Sequence, residues 1–564
     1  MKKHYNTVLS LLENCRTMVE LKQIHSFMIK TSVIEKVIPL SKLIDFCTNS
    51  ETGNLSYATS LFESIDHPSV YIWNSMIRGY SENLNPDKAL IFYREMLRKG
   101  YLPDHFTFPF VLKACSGIKD VVFGRCVHGY VAKTGFEANM YVSTCLLHMY
   151  MCCREVERGM KIFEGIPKTN AVAWGSLISG FVNNNLFRDA IQAFTDMQGS
   201  GVRPNEMIMA DLLVACGRIK DIQTGKRLHN LTQELGFDPF TLSGAEFNVI
   251  LATCIIDMYG RCGDLRTARY LFDEMPQRNL VSWNAIITSY SQSGNGEEAF
   301  RMFSEMQATG FMPDKVTFLS LIRASMVQGN TQLGQSIHGY VLKTGAMEDT
   351  AIICALVDMY AKTGDNPESA KRVFEDLKKK DAIAWTVMIM GLASHGHGEE
   401  ALRVFERMQE EGRVSPDEIT YVGVLYACSH SGLVEEGRKH FAEMRSLYRI
   451  EPAVEHYGCM VDILSRAGQF EEAERLVQTM PVQANANIWG ALLNGCEIHE
   501  NVDLADRVRS QMTTSEDLGS GIYVLLSNIF AKAGRWYDVK LVRESMKSRR
   551  IAKVLANSSV ETVI

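Results

Sequence analysis

The sequence predicts an all-α fold, a right-handed superhelical solenoid of stacked helix-turn-helix repeats. Tryptophans recur at intervals of 101 to 109 residues, the same short strings recur between them, and most units share one ending, a Gly followed within four residues by a Pro. Hairpins of this length cannot bury an apolar face alone, so each must stack on its neighbours and leave a long inner groove. The recurring tryptophans are Trp73, Trp174, Trp283, Trp385 and Trp489.

Each stretch from one tryptophan to the next contains three types of helical hairpin, and each type has its own recurring sequence string. The first type ends as in Gly100 and Pro103-Asp104, because Gly takes the left-handed conformation that closes a helix and Pro cannot continue it. The second carries His128 to Gly135 and its copies, and the third, which is shorter, carries Leu147 to Tyr150 and its copies. The three lengths, for residues 70–104, 105–139 and 140–170, add up to the spacing of the tryptophans.

The same boundaries divide the whole chain. Twelve motifs in four triplets fill residues 70–485, two degenerate motifs precede them at 5–69, two divergent hairpins follow at 486–555, and a short tail occupies 556–564. The triplets are 70–170, 171–279, 280–381 and 382–485. A solenoid of this kind explains a chain of 564 residues without several separate cores.

Composition narrows the classes of function. Hydrophobic residues make up 46% of the chain and charged residues 22%, which excludes a disordered protein, and the net charge of −6 restricts any nucleic-acid site to a local groove. The longest uncharged apolar stretch, Ala382 to Ala393, is too short for a membrane span. Fourteen cysteines without a C-x-x-C pair indicate reduced thiols rather than disulfides or a zinc ribbon. The N-terminus leaves no room for a conventional transit peptide.

No catalytic motif emerges from the sequence. A zinc nucleoside deaminase needs H-x-E with a downstream P-C-x-x-C; the chain has His397-Gly398-Glu399, predicted to lie in a turn, and no P-C-x-x-C. His128, His229 and His338 recur with the repeats, which favours packing over metal binding. We therefore expect no catalytic residue, metal ligand, cofactor or small-molecule substrate.

Alternating motifs of 35, about 35 and 31 residues that end in Pro-Asp resemble the pentatricopeptide repeat family, in its plant subclass of long, variant and short motifs. Tetratricopeptide repeats keep a constant period of about 34 residues and fit less well. Ile488-Trp489-Gly490 and its surroundings resemble the first C-terminal extension motif of that subclass, and Tyr523 to Phe530 the second. The deaminase domain that follows in longer relatives has no counterpart in this sequence.

The resemblance implies binding of single-stranded organellar RNA, with one base opposite each motif, recognised by the fifth and last residues. Asn74 with Asp104 and Asn284 with Asp314 then resemble uridine-recognising motifs, and Thr386 with Asp417 a guanosine-recognising one. The adenosine-recognising pairs are Thr144 with Asn170 and Thr253 with Asn279. Second residues of the motifs are expected to pack against base faces; these are Tyr71, Val172, Ile250, Val281 and Ile383.

Other motifs are expected to discriminate poorly. Gly175, Cys354 and Gly458 offer little or nothing at the fifth position, and the variant motifs carry Pro109, Ala210, Leu319 and Val422 there. With the family's alignment, the predicted target is 5′-U-n-A-n-n-A-U-n-n-G-n-n-n-n-n-C, in which the last cytidine is edited. A hairpin-terminal Asn or Asp can equally serve only as a helix cap.

Three functions remain open at this level. The first is a non-catalytic recognition factor for cytidine-to-uridine editing, which needs a deaminase or helper protein in trans, in the mitochondrion or alternatively the chloroplast. The second is a stability, splicing or translation factor that acts by occupying RNA, and the third a protein-binding scaffold without RNA. The basic segment Lys532 to Lys553 is either a phosphate contact or a solvated helix face.

Overall fold

The computed structural model of the chain describes residues 2–49, 53–83, 85–240, 248–363, 368–377, 380–512 and 520–548. Within these ranges the regular structure is helical and contains no strand. The chain divides into two compact units, Met1–Ile286 and Ile287–Ile564. In each unit the helices pair into hairpins that stack in chain order, so the all-α solenoid predicted from the sequence is confirmed.

The first unit contains sixteen complete helices in its described part, which alternate as first and second helices of hairpins. They are α1 (Lys2–Asn14), α2 (Met18–Lys30), α3 (Val37–Asn49), α4 (Leu55–Glu63), α5 (Val70–Glu82), α6 (Pro86–Arg98), α7 (Thr107–Ile118), α8 (Val121–Lys133), α9 (Met140–Cys152), α10 (Val156–Glu164), α11 (Ala171–Asn183), α12 (Phe187–Gly199), α13 (Glu206–Ile219), α14 (Ile222–Glu234), α15 (Val249–Arg261) and α16 (Leu265–Glu274).

Helix α17 (Leu280–Gln292) contains the boundary between the units, and the described part of the second unit continues the alternation. Its helices are α18 (Gly296–Ala308), α19 (Lys315–Gln328), α20 (Thr331–Thr344), α21 (Thr350–Thr363), α22 (Glu368–Glu375), α23 (Ala382–Ser394), α24 (Gly398–Glu411), α25 (Glu418–Ser431), α26 (Val434–Ser446), α27 (Val454–Arg466), α28 (Phe470–Thr479), α29 (Ala486–Ile498), α30 (Val502–Met512), α31 (Ser520–Lys532) and α32 (Trp536–Ser548). Short 3-10 turns follow α2, α8 and α20.

The recurring tryptophans hold successive hairpins together. In the first unit the indole of Trp73 meets the Phe62 ring edge-on with 4.6 Å between ring centroids, and Trp174 meets Phe163 at 4.7 Å. In the second unit Trp385 meets Phe374 in the same way at 5.0 Å. Each pair joins a first helix to the second helix of the preceding hairpin. The tryptophan spacing in the sequence is thus the spacing of one repeated packing contact.

The recurring histidines are scaffold residues. His128 Nδ1 lies 2.8 Å from the Tyr150 hydroxyl, and the corresponding distances are 3.1 Å for His229 with Tyr259 and 3.0 Å for His338 with Tyr360. Burial lowers the pKa of the His229 and His338 side chains, which keeps these imidazoles neutral near pH 7. The imidazole Nδ1 and the tyrosine hydroxyl are within hydrogen-bond distance in all three pairs, so each pair is a hydrogen bond between consecutive hairpins. The pairs are His128–Tyr150, His229–Tyr259 and His338–Tyr360.

Successive first helices approach closely where a glycine faces the preceding helix. A Cβ added at Gly391 of α23 meets the Cβ of Ala361 in α21 at 2.6 Å, and this neighbour cannot rotate away. We expect Gly391→Ala to lower the free energy of unfolding by about 1–3 kcal/mol, because the two helices must separate. Gly339→Ala in α20 is the matched control, since nothing lies within 4 Å of its added Cβ.

The control variant is expected to be neutral or stabilising, because Ala is more favourable than Gly in a helix interior by about 0.5–1 kcal/mol. Thermal unfolding followed by circular dichroism measures both variants. Equal midpoints for Gly391→Ala and Gly339→Ala would show that the close approach does not constrain the stack.

Candidate RNA interface

In most motifs the second residue is an exposed apolar side chain at the start of a first helix; the exceptions are Ala351, which is half-buried, and Glu455, which is charged. All five residues predicted to pack against bases are between 54% and 68% exposed: Tyr71, Val172, Ile250, Val281 and Ile383. Exposed apolar groups that recur at one position are available to contact a flat apolar ligand face. The structure extends this set with residues of the same position that the sequence analysis did not select; these are Phe106, Tyr141, Met207, Val316 and Ile419. Counting two residues from each motif start would have found them.

The fifth residues lie one helical turn further along the first helix and are buried. Their exposed fraction is 6–9% in every motif with a predicted base preference, namely at Asn74, Thr144, Thr253, Asn284 and Thr386. Polar side chains at this depth need hydrogen-bond partners, and those partners decide which atom remains for a ligand.

The last residues of the motifs cap the helices that follow. Asn170 Oδ1 accepts hydrogen bonds from the backbone amides of Val172 and Ala173 at 3.0 and 3.2 Å, and Asn279 Oδ1 accepts one from Ser282 at 2.9 Å. Asp314 and Asp417 cap in the same way, each accepting from the backbone amide three residues on. Asp104 accepts from the Thr107 amide in the same way, although the cap position of α7 itself is Phe106. Helix capping by these residues is therefore confirmed.

Capping also orients the remaining terminal atom. Because Oδ1 turns toward the backbone amides, the terminal atom that differs between the two residue types is an NH2 donor in Asn and a carboxylate acceptor in Asp. The exchange of Asn for Asp at a motif end thus inverts the polarity of one atom while the cap is retained.

Asn74 and Asp104 lie in direct contact. Asn74 Nδ2 donates to Asp104 Oδ1 at 3.0 Å, and the Thr107 hydroxyl donates to Asn74 Oδ1 at 2.7 Å. Thr107 also donates its backbone amide to Asp104 Oδ1 at 2.9 Å. The fifth residue, the last residue and the first turn of the next first helix therefore form one hydrogen-bonded group.

Thr386 and Asp417 are joined through a third residue. The hydroxyl oxygens of Thr386 and Thr420 are 2.8 Å apart, and the Thr420 hydroxyl donates to Asp417 Oδ1 at 2.8 Å. Since the Thr420 proton is used on the carboxylate, Thr386 is the donor of the pair. This leaves lone pairs of the Thr386 oxygen as the acceptor side of the site.

The predicted adenosine motifs use their threonine differently. Thr144 donates its hydroxyl to the Met140 carbonyl at 2.8 Å, and Thr253 donates to the Val249 carbonyl at 2.7 Å. Both hydroxyl protons point into their own helix, so each oxygen offers acceptor lone pairs outward.

One cavity gathers the complete set of site positions. A space of 480 Å³ is lined by Thr144 and Asn170, the fifth and last residues of one motif, and by Tyr141 and Val172, the second residues of that motif and the next. Pro109 and Lys113 of the preceding first helix complete one side. The lining therefore combines apolar side chains with one donor and one acceptor, which are the groups that contact the face and the edge of a nucleobase.

A second cavity lies at a motif whose fifth residue, Gly458, has no side chain. It has a volume of 670 Å³ and includes Gly458, Gly490, Asn485 and the ion pair between Asp462 and Arg466, whose Nε and Oδ2 atoms are 2.8 Å apart. Glu455 and Asn487 also line it where other motifs place an apolar second residue. Apolar side chains such as Val454, Ile522 and Leu525 still form much of the lining, so this cavity differs from the first mainly in its polar second residues and its missing fifth side chain.

Not all predicted pairs are seen together. Asn279 caps α17 and Asp314 caps α19, while Thr253 and Asn284 are buried in their helices. Among the described residues, Thr253 and Asn279 do not hydrogen-bond to each other. Of the H-x-E string, His397 lies in the turn between α23 and α24, as predicted, whereas Gly398 and Glu399 form the first residues of α24.

The basic C-terminal segment is largely paired within the residues that the structure describes. Lys532 Nζ lies 2.7 Å from Glu497, and Arg535 bonds Asp538 at 2.7 Å and Asp506 at 3.2 Å. These pairs weaken a role in phosphate contact for the end of α31 and the turn after it, and within α32 Lys540 lies 3.9 Å from Glu544. The part of the segment after residue 548 lies outside the described residues.

Among the described residues no group of three or more His, Cys, Asp or Glu side chains is arranged to hold a metal ion. All fourteen cysteines are free thiols. None of the described helices combines the length and apolar character needed to cross a bilayer.

Comparisons with known proteins match these repeats. The PPR repeat family model matches residues 68–117, 278–326 and 380–430, the PPR repeat model matches 172–202, 251–280, 419–448 and 455–482, and the E motif model matches 499–561. A maize pentatricopeptide repeat protein, PPR10, has a crystal structure that aligns with a TM-score of 0.48 at 17% identity, over 97% of this chain and 92% of that one.

Curated relatives from Arabidopsis thaliana cover the chain almost completely. One pentatricopeptide repeat-containing protein is 72% identical over all of both chains. Another, named as mitochondrial, is 34% identical over 99% of this chain and 85% of its own length, and a third, named as chloroplastic, is 36% identical over 98% and 78%. The chain therefore belongs to the pentatricopeptide repeat family and carries a C-terminal E motif.

Proposed function

We propose that this protein binds single-stranded RNA in an organelle and specifies a cytidine for editing, with the deaminase supplied by another protein. The observation that carries the RNA part is the 480 Å³ cavity in which Tyr141, Thr144, Asn170 and Val172 meet. The E motif at residues 499–561 supports the editing part, because the resemblance associates such extensions with editing.

The polarity of the capped residues accounts for the proposed base preferences. In the motif of Thr144 and Asn170, the threonine oxygen accepts from the adenine 6-amino group and the amide of Asn170 donates to the ring nitrogen N1. In the motif of Thr386 and Asp417, both outward atoms are acceptors, which suits the N1–H and 2-amino donors of guanine.

Uridine suits the group formed by Asn74 and Asp104. Its ring N3–H donates to the free carboxylate oxygen of the aspartate, while the second amide proton of Asn74 is left for a ring carbonyl oxygen. The proposed target is therefore 5′-U-n-A-n-n-A-U-n-n-G-n-n-n-n-n-C. Relatives named as mitochondrial and as chloroplastic support an organellar location, of which we favour the mitochondrion.

Gel-shift titration of the full chain tests the proposal. The 16-nucleotide target is expected to bind more tightly than a shuffled RNA of the same composition at every salt concentration, whereas the affinity for both falls as salt rises. Equal affinity for the two RNAs would reject base recognition.

Transcript sequencing separates editing from simple occupancy. A plant line that lacks the protein is expected to leave a cytidine unedited at the 3′ end of a matching sequence. Altered transcript ends or retained introns with complete editing would instead identify a stability or splicing factor.

A further inference from the structure

A cavity of 470 Å³ lies among second helices of the first unit. Its lining comes from α8, from α10, from the 3-10 turn between α8 and α9, and from Tyr150 near the end of α9. Tyr150 follows Tyr141 of the 480 Å³ cavity by nine residues, so the two tyrosines project from opposite faces of α9. Among the described residues, the two cavities have no lining residue in common.

Three cationic side chains line this cavity, Arg125 of α8 and Arg158 and Lys161 of α10. Both arginines pair with the carboxylate of Glu155, and Arg158 Nε lies 3.5 Å from it. Lys161 is exposed, lies on the same face of α10 as Arg158, and has no ion-pair partner among the described residues. With the carboxylate of Glu137, which also lines the cavity, the three cations face two anions and leave a local positive charge.

One acceptor is held beside these donors. Glu137 Oε1 lies 3.1 Å from His128 Nε2, and His128 Nδ1 lies 2.8 Å from the Tyr150 hydroxyl, so this chain of contacts orients the carboxylate. A nucleic-acid backbone presents phosphates in series, which a carboxylate repels, whereas a peptide presents backbone N–H groups from which a carboxylate accepts. The combination of cations with an oriented acceptor therefore favours an acidic peptide over RNA.

Part of the lining is apolar and open. Gly129, Ala132 and Ile162 contribute to it, and a Cβ added at Gly129 would have nothing within 4 Å. The volume of 470 Å³ lies within the range of ligand pockets, about 300–1,000 Å³, and is more than one carboxylate group needs. The carbon chain of a Glu side chain, or an apolar residue beside it, can therefore pack on this part of the cavity.

The stacking of hairpins does not require these cations. The equivalent hairpins of the same unit keep the contact between histidine and tyrosine, which there joins His229 and Tyr259. They carry Thr267 and Tyr270 at the positions of the two α10 cations. The cationic lining is therefore a feature of this one place and not of the repeat.

We propose that this cavity docks an acidic segment of a partner protein, whose carboxylates bind Arg125, Arg158 and Lys161 and whose backbone N–H group donates to Glu137. Each guanidinium group carries more N–H donors than the two oxygens of Glu155 engage, so donors remain for the ligand. Because this cavity lies across α9 from Tyr141, such a partner can bind while RNA occupies the first helices.

Fluorescence anisotropy with the full chain tests this docking site. The probe is a labelled peptide in which Glu alternates with Leu, and the reference is the same peptide with Gln in place of Glu. The wild type is expected to bind the Glu peptide about 10-fold more tightly than the Gln peptide. This preference is expected to shrink as the salt concentration rises, because exposed charges are screened.

Gly129→Leu tests the cavity itself. The new side chain enters the open space beside Gly129, so affinity for the Glu peptide is expected to fall about 10-fold while the thermal midpoint is retained. Gly339→Leu is the matched control, since Gly339 also follows a recurring histidine and has nothing within 4 Å of its added Cβ. This control is expected to keep the affinity of the wild type.

A pair of charge reversals tests the electrostatic part. Lys161→Glu is expected to remove the preference for the Glu peptide, because the variant has more anions than cations at the cavity. Arg188→Glu is the matched control, since Arg188 is exposed on the second helix α12 and does not line the cavity. The control is expected to retain the preference.

Equal affinity of the wild type for the Glu and Gln peptides would overturn this inference, and so would equal effects of Gly129→Leu and Gly339→Leu. Tighter binding of inorganic phosphate than of the Glu peptide, lost in Gly129→Leu, would assign the cavity to a free anion and overturn the partner. Gly129→Leu is expected to keep the affinity for the 16-nucleotide RNA target. Failure of the wild type to prefer that RNA would therefore overturn the proposed function and leave this inference standing.

Discussion

Replacing Asn170 by Asp is expected to move the preferred base opposite residues 140–170 from adenosine to guanosine. The Asn170 amide that faces the cavity donates, whereas a carboxylate only accepts, so adenine N1 is repelled and guanine N1–H gains a partner. One mismatched base in a nucleic-acid site costs about 1–3 kcal/mol, so the adenosine preference is expected to fall by about 5- to 150-fold. Binding to two RNAs that differ only at this nucleotide measures the change.

Asn205→Asp is the matched control for this exchange. Asn205 caps α13 through an Oδ1 that accepts from Ile208 at 3.0 Å, but the fifth residue of its motif is Gly175. The same change of charge is therefore made without a fifth-position partner, and the preference opposite residues 140–170 is expected to stay with adenosine. Retention of that preference in Asn170→Asp as well would reject the assigned register.

Replacing Tyr141 by Ala is expected to weaken binding to every RNA about equally. Tyr141 is 61% exposed and, with Val172, lines the 480 Å³ cavity. Loss of one stacking aromatic side chain costs about 1–3 kcal/mol for a single-stranded RNA, which corresponds to about 5- to 150-fold in affinity. Since every base has a flat face, adenosine and guanosine targets are expected to lose affinity together.

Tyr270→Ala separates the loss of base stacking from the loss of any exposed tyrosine side chain. Tyr270 is 62% exposed on the second helix α16, so its removal deletes a comparable tyrosine away from the first helices. Both variants are expected to keep the thermal midpoint of the wild type. Equal losses of affinity in the two variants would contradict a stacking role for Tyr141.

The sequence was sufficient to predict the helical solenoid, because each packing contact of the repeat recurs along the chain and appears as a regular spacing of residues. Trp73, Trp174 and Trp385 each meet a phenylalanine of the preceding hairpin, so one contact appears in the sequence as a fixed spacing. His128 and its equivalents were likewise assigned to packing from recurrence alone, and each bonds a tyrosine of the next hairpin.

The selected site residues illustrate the limit of such signals. The sequence predicts base packing for Tyr71 but not for Tyr141, although both lie at the second position and are similarly exposed. The exposure of a second residue depends on how the first helices pack, and the recurring strings do not encode it.

By itself, the sequence determined the helical repeat, its phase and the residue types at the second, fifth and last positions, because helix periodicity and helix-ending residues act over a few neighbouring positions. At Asn74 and Thr386, the tertiary structure alone decided which atom of the polar side chain remains for a ligand. That outcome depends on partners about thirty residues away, as when Thr107 engages Asn74 or Thr420 engages Thr386, and such partners are brought close only when one hairpin packs on the next.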